Sequence, residues 1–334
     1  RQRVHDREIS YAEAGSDFLA HVISRTREHA GLDGEEVAFT VPVESFEHYV
    51  NWLAKVLGAS GIQRFRVIDE PSAAAIGYGI ELRPGDVYLV FDFGCGTLDV
   101  AVVMIELDHD SNAGCRCRVL GKAGADLGGA EIDKWLYQHV LDTNGIGESD
   151  ESLKAISRAL LVECERAKER LSSELQASIS VMNPYTGSVI EADVTRSAFE
   201  ELLDQHNMYS IVGHTIRRAL ATSRERGYDL EHIKAALMVG GSSLIPSVQR
   251  ALHQHFGRER VKLNRPLDAV ARGAAAFVAG MRFTDHIQHD YAIKHLNPRS
   301  KTYEYRVLVK RGTQYPTGNA VDEFYITASA DNQS

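Results

Sequence analysis

The segment FDFGCGTLD, residues 91 to 99, sets two carboxylates, Asp92 and Asp99, on either side of a glycine-rich turn that also carries Cys95 and the hydroxyl of Thr97. Glycine lets the backbone turn its N–H groups toward a common point, so Gly94 and Gly96 suit an anion nest. Carboxylates repel phosphate directly. They fit beside it when a hydrated magnesium ion lies between, because Mg²⁺ keeps several waters and is commonly held by few carboxylates plus phosphate oxygens. Carboxylate, nest and hydroxyl together suit a nucleotide-metal site. Two strands joined by a short glycine loop are also the pattern of an ordinary β-hairpin, and residue types alone leave both readings open.

Four further places could contribute. MVGGSSLIPSV, residues 238 to 248, runs from a strand through Gly240, Gly241 and Ser242 into a helix with Pro246 in its first turn. Such a junction favours phosphate or ribose, though a plain strand-to-helix turn looks the same. In KAGADLGGAEID, residues 122 to 133, Gly128 and Gly129 open a helix and could lie against a ligand or merely against a neighbouring strand. Glu165, Lys168 and Ser172 share one helix face at spacings of three and four, a pattern that by itself fits a solvated ion pair. Glu70 stands at the end of an apolar strand just before Pro71, placed for a ligand crevice or for a helix cap.

These residues must be positioned by a sizeable fold. With 334 residues, 44% of them hydrophobic, the chain can bury a substantial core and is long enough for more than one subdomain. A net charge of −9 argues against a nucleic-acid footprint, and no apolar run has membrane-spanning length. Four cysteines are too few for a disulfide framework. Cys115 and Cys117 lack the histidine company of a zinc site, so reduced thiols in a cytoplasmic protein are expected.

The pattern alternates helix and strand, an α/β arrangement. A capping box, Ser10 with Glu13, opens a helix over 10–30 whose apolar positions are Ala14, Phe18, Leu19, Val22 and Ile23. Strands are expected at 37–42 and 65–71, with a helix between them and another following. From Val87 the texture becomes an antiparallel meander of three strands. Residues 151–173 form the clearest helix, with Leu153, Ile156, Leu160, Cys164, Ala167 and Leu171 on one face. After a hairpin around MNPYTGS, a helix capped by Thr195 is expected to run on to about Glu225. Residues 233–280 read as strand, glycine turn, helix, short strand, helix.

In this order VIDEPSAAAIGYG, LVFDFGCGTLDVAVV, AGADLGGAEID, CERAKERLSS, VTRSAFEELL, ALMVGGSSLIPSVQRAL and DAVARGAAA resemble the nucleotide-binding domain of the DnaK-type, seventy-kilodalton heat-shock chaperones, from about Ser10 to about Gly280. The resemblance implies an actin-like ATPase (ribonuclease H-like) fold: two lobes of mixed sheet and helices, with ATP or ADP and Mg²⁺ between them. It implies that Gly94, Cys95, Gly96 and Thr97 form the second phosphate loop. Asp92 and Asp99 would serve the magnesium shell through water, and Glu70 would help order the attacking water. Gly128 and Gly129 would line the nucleotide, Glu165, Lys168 and Ser172 would approach adenosine, and Gly240, Gly241 and Ser242 would form the adenosine turn. The reaction would be attack of water on the γ-phosphate, coupled to binding of unfolded polypeptide, with J-domain and nucleotide-exchange cochaperones as partners and neither nucleic acid nor membrane among them. YRVLVKRGTQYPT and FYITASADNQS resemble the first strands of the family's β-sandwich, so the expected division is a nucleotide-binding domain over 1–282 and a linker with the start of a sandwich over 283–334.

Several positions depart from the family's pattern. Glu169 and Leu244 stand where two arginines hold the adenine ring, which predicts a weaker or altered grip on the base. RPLDAV has Leu267 where an acidic residue is usual, and MRFTDHIQHDYAIKH replaces a leucine-rich linker. The first phosphate hairpin and catalytic lysine of the family have no counterpart after Arg1, and an N-terminally incomplete chain with little activity alone is expected. A nucleotide-binding regulator or scaffold with little hydrolysis is the second reading; a sugar or acetate kinase leaves the sandwich-like tail unexplained.

Overall fold

The computed structural model describes residues 2–4, 7–31, 36–41, 47–78, 85–107, 115–147, 153, 155–184, 187–279, 282–286, 290–297, 301–311 and 313–315. The chain opens with a short antiparallel pair, β1 (Gln2–Val4) and β2 (Arg7–Ile9). Helix α1 (Tyr11–Ala30) follows; its capping box is formed, with Ser10 Oγ accepting from Glu13 N at 3.1 Å and Glu13 Oε2 accepting from Ser10 N at 2.8 Å. Strand β3 (Val37–Val41), helix α2 (Glu47–Ala59) and strand β4 (Phe65–Asp69) come next, β3 and β4 pairing in parallel. Ile23, Val41, Leu53, Leu57 and Ile62 form a small core here. The apolar stripe expected on α1 is only partly used: Ile23 is buried, while Phe18 is 71% and Val22 41% exposed. This layer covers one side of the helix only.

Helix α3 (Glu70–Gly77) leads to the meander β5 (Val87–Phe93), β6 (Leu98–Leu107) and β7 (Cys115–Ala125). Every residue of β5 is buried, as a near-continuous apolar run must be when both faces of a sheet are covered. Helices α4 (Gly129–Thr143) and α5 (Ser157–Ser173) are followed by the hairpin β8 (Gln176–Met182) and β9 (Val189–Thr195), whose side chains alternate exposed and buried. Helix α5 begins at Ser157, later than the expected 151, and the six apolar positions from Leu153 to Leu171 are all buried, Leu153 and Ile156 just ahead of the helix.

The single helix expected beyond Thr195 is two helices, α6 (Arg196–Gln205) and α7 (Met208–Glu225). Thr195 caps the first by accepting from Ala198 N at 3.2 Å, but Asn207 takes a left-handed φ of 58° and redirects the chain. Asparagine reaches that conformation more readily than other side chains, and no glycine or proline announced the break.

Strand β10 (Ile233–Val239), a 3-10 turn over Gly241–Leu244, α8 (Pro246–Phe256), β11 (Val261–Lys262) and α9 (Ala269–Val278) complete the expected series. Strands β12 (Arg282–His286), β13 (Tyr291–Leu296), β14 (Tyr303–Val309) and β15 (Gln314–Tyr315) follow. The large sheet has the order β11-β10-β5-β6-β7-β12-β15. Because β12 pairs in parallel with β7, the expected boundary at 282/283 falls at the start of a strand of this sheet. β13 and β14 form a separate antiparallel pair, and FYITASADNQS lies outside the described residues.

Two cores flank the sheet. On one face Leu89, Phe91, Phe93, Val100 and Leu120 meet α4, α5, α7 and α8. On the other Tyr88, Val90, Ala101 and Val103 meet α3 and α9. The result is a helix–sheet–helix sandwich. Among the described residues no helix is long and apolar enough to cross a membrane.

Candidate functional site

The loop 94–97 joins the ends of β5 and β6, two strands held between apolar layers, so its position is rigidly set. Antiparallel register places Asp92 directly opposite Asp99. They are 7% and 2% exposed. Burial, and then the neighbouring Asp99, push the Asp92 carboxyl up to about 7. Two carboxylates side by side in a poorly solvated place resist joint ionisation, and a divalent cation relieves that repulsion.

The loop is docked, not free. Gly94 N donates to Thr97 O at 3.1 Å and closes the turn. The carbonyls of Gly94 and Cys95 accept from Gly129 N at 3.0 Å and Ala130 N at 2.9 Å, satisfying donors at the start of α4 that its own helix cannot. Gly128 is required for this approach: a Cβ there would lie 2.1 Å from Cys95 O. Ser242 Oγ donates to Gly94 O at 2.9 Å and ties in the turn after β10. Gly240 carries a φ of +83°, and its N–H donates to Pro266 O at 2.7 Å; a Cβ there would lie 2.3 Å from Phe93 O and 2.8 Å from Asp92 Oδ1.

Neither Gly94 nor Gly96 has a positive φ, and no heavy atom lies closer than 3.9 Å to a Cβ built on Gly94. A Cβ on Gly96 or Gly241 would meet nothing within 4 Å. These glycines leave open space rather than supply a left-handed turn. Cys95 is exposed and its φ is also outside the left-handed region, so a side chain sits there without backbone strain. Cys164, by contrast, lies in the core, where burial pushes its thiol up to about 12. The side chains of Cys115 and Cys117 lie outside the described residues.

Lys168 reaches the same place from α5. Its Nζ donates to Gly129 O at 3.0 Å and to Asp133 Oδ2 at 2.9 Å, with Oδ1 at 2.8 Å but poorly aligned for a second bond. A Cβ on Gly129 would lie 2.9 Å from both Lys168 Nζ and Ser242 Oγ, so absence of that atom leaves a cradle where an ammonium and a hydroxyl converge. Helix spacing alone pairs Lys168 with its neighbour Glu165. The fold gives it Asp133, which no local spacing could pair with it because they lie on different helices. Burial raises the Asp133 carboxyl, Lys168 opposes the shift, and Glu165 and Glu169 add to it. Glu165 and Glu169 are exposed on α5, and Ser172 Oγ donates back to Lys168 O at 3.3 Å.

Glu70 comes from the opposite layer, at the first position of α3, whose residues Pro71–Gly77 are all buried. Its carboxylate acts on Tyr49, whose phenol is raised by burial first and Glu70 second. The loop, the 128–129 turn, Lys168 and the 240–242 turn thus meet around the buried aspartates. A phosphorylated ligand with a hydrated divalent cation fits this set: open glycines, an ammonium and a hydroxyl beside the cradle, and a carboxylate pair that a cation would relieve.

A family model described as Hsp70 protein matches residues 5–333. The chaperone protein HscA homolog of Shewanella woodyi is 29% identical over 268 residues, covering 80% of this chain and 41% of that relative. The HscA homolog of Shewanella oneidensis is 29% identical over 270 residues, with the same coverage. The chain spans about two fifths of the length of the curated relatives it matches.

Proposed function

The chain belongs to the Hsp70 family and has its actin-like ATPase fold, and from that premise we propose that it is the nucleotide-binding part of a chaperone that couples ATP binding and hydrolysis to binding of unfolded polypeptide. The observation that carries this reading is the convergence of Gly94–Thr97, Gly128–Gly129, Lys168 and Gly240–Ser242 around the buried pair Asp92 and Asp99. In it, Asp92 and Asp99 would hold Mg²⁺ through water and so bring a cation's charge to the phosphates. The backbone of 95–97 receives phosphate oxygens, and the 128–129 and 240–242 turns, which pack against that loop because Gly128 and Gly240 lack a Cβ, line the nucleoside. Glu70, on a helix fixed by its buried face, orients the water that attacks the γ-phosphate. Positioning and charge stabilisation supply most of the rate in such a reaction.

Client polypeptides, J-domain proteins and exchange factors are the partners this reading names. The free thiols Cys95 and Cys164 suit a reducing compartment such as the cytoplasm. The exposed Glu169 and half-buried Leu244 leave the base without guanidinium stacking, so base selectivity is expected to be modest.

The reading is tested by ATPase turnover of the full-length protein with and without an unfolded peptide. Peptide should raise turnover, and Glu70→Gln should lower it by about 100-fold while nucleotide affinity stays within a few-fold, because water orientation acts only in the transition state. Tight nucleotide binding without turnover in the wild type would favour a regulator or scaffold instead. Cys95→Gly should preserve or tighten ATP binding, since nothing in the backbone there requires or penalises a side chain. A clear loss of affinity in a calorimetric titration would assign the thiol a part of its own.

A further inference from the structure

Asp133 closes the segment KAGADLGGAEID but carries no role in the reading of that motif, yet it is the charged side chain most directly engaged with Lys168. It is 5% exposed, on the first turns of α4, and Lys168 approaches it from α5 with a side chain only 12% exposed. The two helices do not need the pair to pack: Ile132, Leu136 and Val140 of α4 and Leu160, Cys164 and Ala167 of α5 already share one apolar core. A buried ion pair adds little net stability, because desolvation of both charges offsets most of their attraction. What it does provide is a fixed position for the ammonium. Of the three N–H donors on Lys168, Gly129 O takes one and Asp133 Oδ2 another, which leaves the third for a ligand at the place where Gly129 lacks a Cβ.

We propose that Asp133 is a positioning residue that holds the Lys168 ammonium at the Gly129 end of the nucleotide cradle. This rests on the nucleotide-binding reading above. Without the carboxylate, Lys168 regains its rotamer freedom and can turn toward the exposed Glu165, three residues before it on the same helix face. The ligand then loses a pre-placed, charge-assisted donor.

The test is a double-mutant cycle in Mg-ADP affinity, measured by calorimetry on the full-length protein at a temperature where each variant is shown by its unfolding curve to be folded. Asp133→Asn should weaken Mg-ADP by about 30-fold, the size expected for losing one charge-assisted bond. In a Lys168→Gln background the same substitution should change affinity by less than about twofold, because a residue that acts only through Lys168 has nothing left to hold. Asp133→Glu, which keeps the charge but displaces it by one methylene, should fall between wild type and Asp133→Asn and serves if the asparagine variant does not fold. Wild-type affinity in Asp133→Asn, or equal losses in both backgrounds, would overturn the proposal and leave the pair a purely structural one. Failure of the wild-type protein to bind Mg-ADP would overturn the nucleotide reading itself, and this inference with it.

Discussion

Asp92→Asn should make the protein more stable at pH 8 and nearly inactive. The folded Asp92 carboxyl has a value of about 7, raised by burial and by Asp99, against an ordinary value of 3.8. Such a group contributes most to stability below about pH 4, where both states are protonated or the folded state holds the proton more firmly. That contribution is lost as pH rises through 7, because the folded state must then carry an ionised carboxylate in a poorly solvated place. The difference corresponds to a penalty of order 4 kcal/mol above pH 7, of which neutral asparagine should recover about half or more. Urea unfolding in chelator should therefore show wild-type stability falling from pH 5 to pH 8 more steeply than that of Asp92→Asn. Mg²⁺ with nucleotide should reverse the order, stabilising wild type above pH 7 and the variant hardly at all. Turnover in the variant should drop by about 100-fold or more, as expected when a cation-holding carboxylate is removed from a phosphoryl-transfer site. A variant less stable than wild type at pH 8 without metal would mean that Asp92 is not the strained group its burial indicates. The opposition between stability and function is expected of a site that holds two like charges for a cation's sake.

Gly273→Ala should cost about 3 kcal/mol of stability, although alanine is the better helix former by about 1 kcal/mol. Helices α3 and α9 cross so closely that a Cβ on Gly273 would lie 1.6 Å from Ala73 O and 2.8 Å from Gly77 N. The contact is reciprocal: a Cβ on Gly77 would lie 1.9 Å from Ala269 O. Backbone atoms cannot turn aside as a flexible side chain can, so the helices must separate. The layer they form covers Val90, Ala101, Val103 and Val239 of the sheet and fixes the helix that begins at Glu70, so turnover should fall as well. Gly58→Ala in the last turn of α2 is the control. A Cβ there meets nothing within 4 Å, and the substitution should be neutral or stabilising by a few tenths of a kcal/mol. Denaturant midpoints of the two variants, compared at equal slope, decide between crowding and helix propensity.

Local chemistry made some elements plain in advance. The Ser10/Glu13 box begins α1 as expected, Thr195 caps α6, Pro246 starts α8, and the six apolar positions from Leu153 to Leu171 are all buried. The caps depend on neighbours within one turn, and the apolar spacing that marks a helix face repeats within two. Where the neighbour is distant, expectation and structure part. Phe18 and Val22 are as apolar as Ile23, yet only Ile23 is buried, because the partner that covers a stripe is not written in the stripe. The break at Asn207 rests on one left-handed residue whose type merely permits it.

The candidate site divides in the same way. Residue types alone leave the loop 94–97 open to an ordinary hairpin, and only the order of the motifs along the chain, through its resemblance to a family, proposes that loop, the glycine turns and the aspartates as one site. It could not show why each glycine is there. Gly94, Gly96 and Gly241 leave space, while Gly128 and Gly240 permit backbone contacts between segments far apart in the chain. Nor could it show that Asp92 faces Asp99 in a buried register that lifts its carboxyl to about 7, or that Lys168 turns to Asp133 rather than to Glu165. The sequence alone determined which functional groups the protein owns and the local elements that carry them. Only the tertiary structure decided which groups meet and how poorly water reaches them, because pairing across helices and the dielectric around a charge are properties of packing, not of spacing.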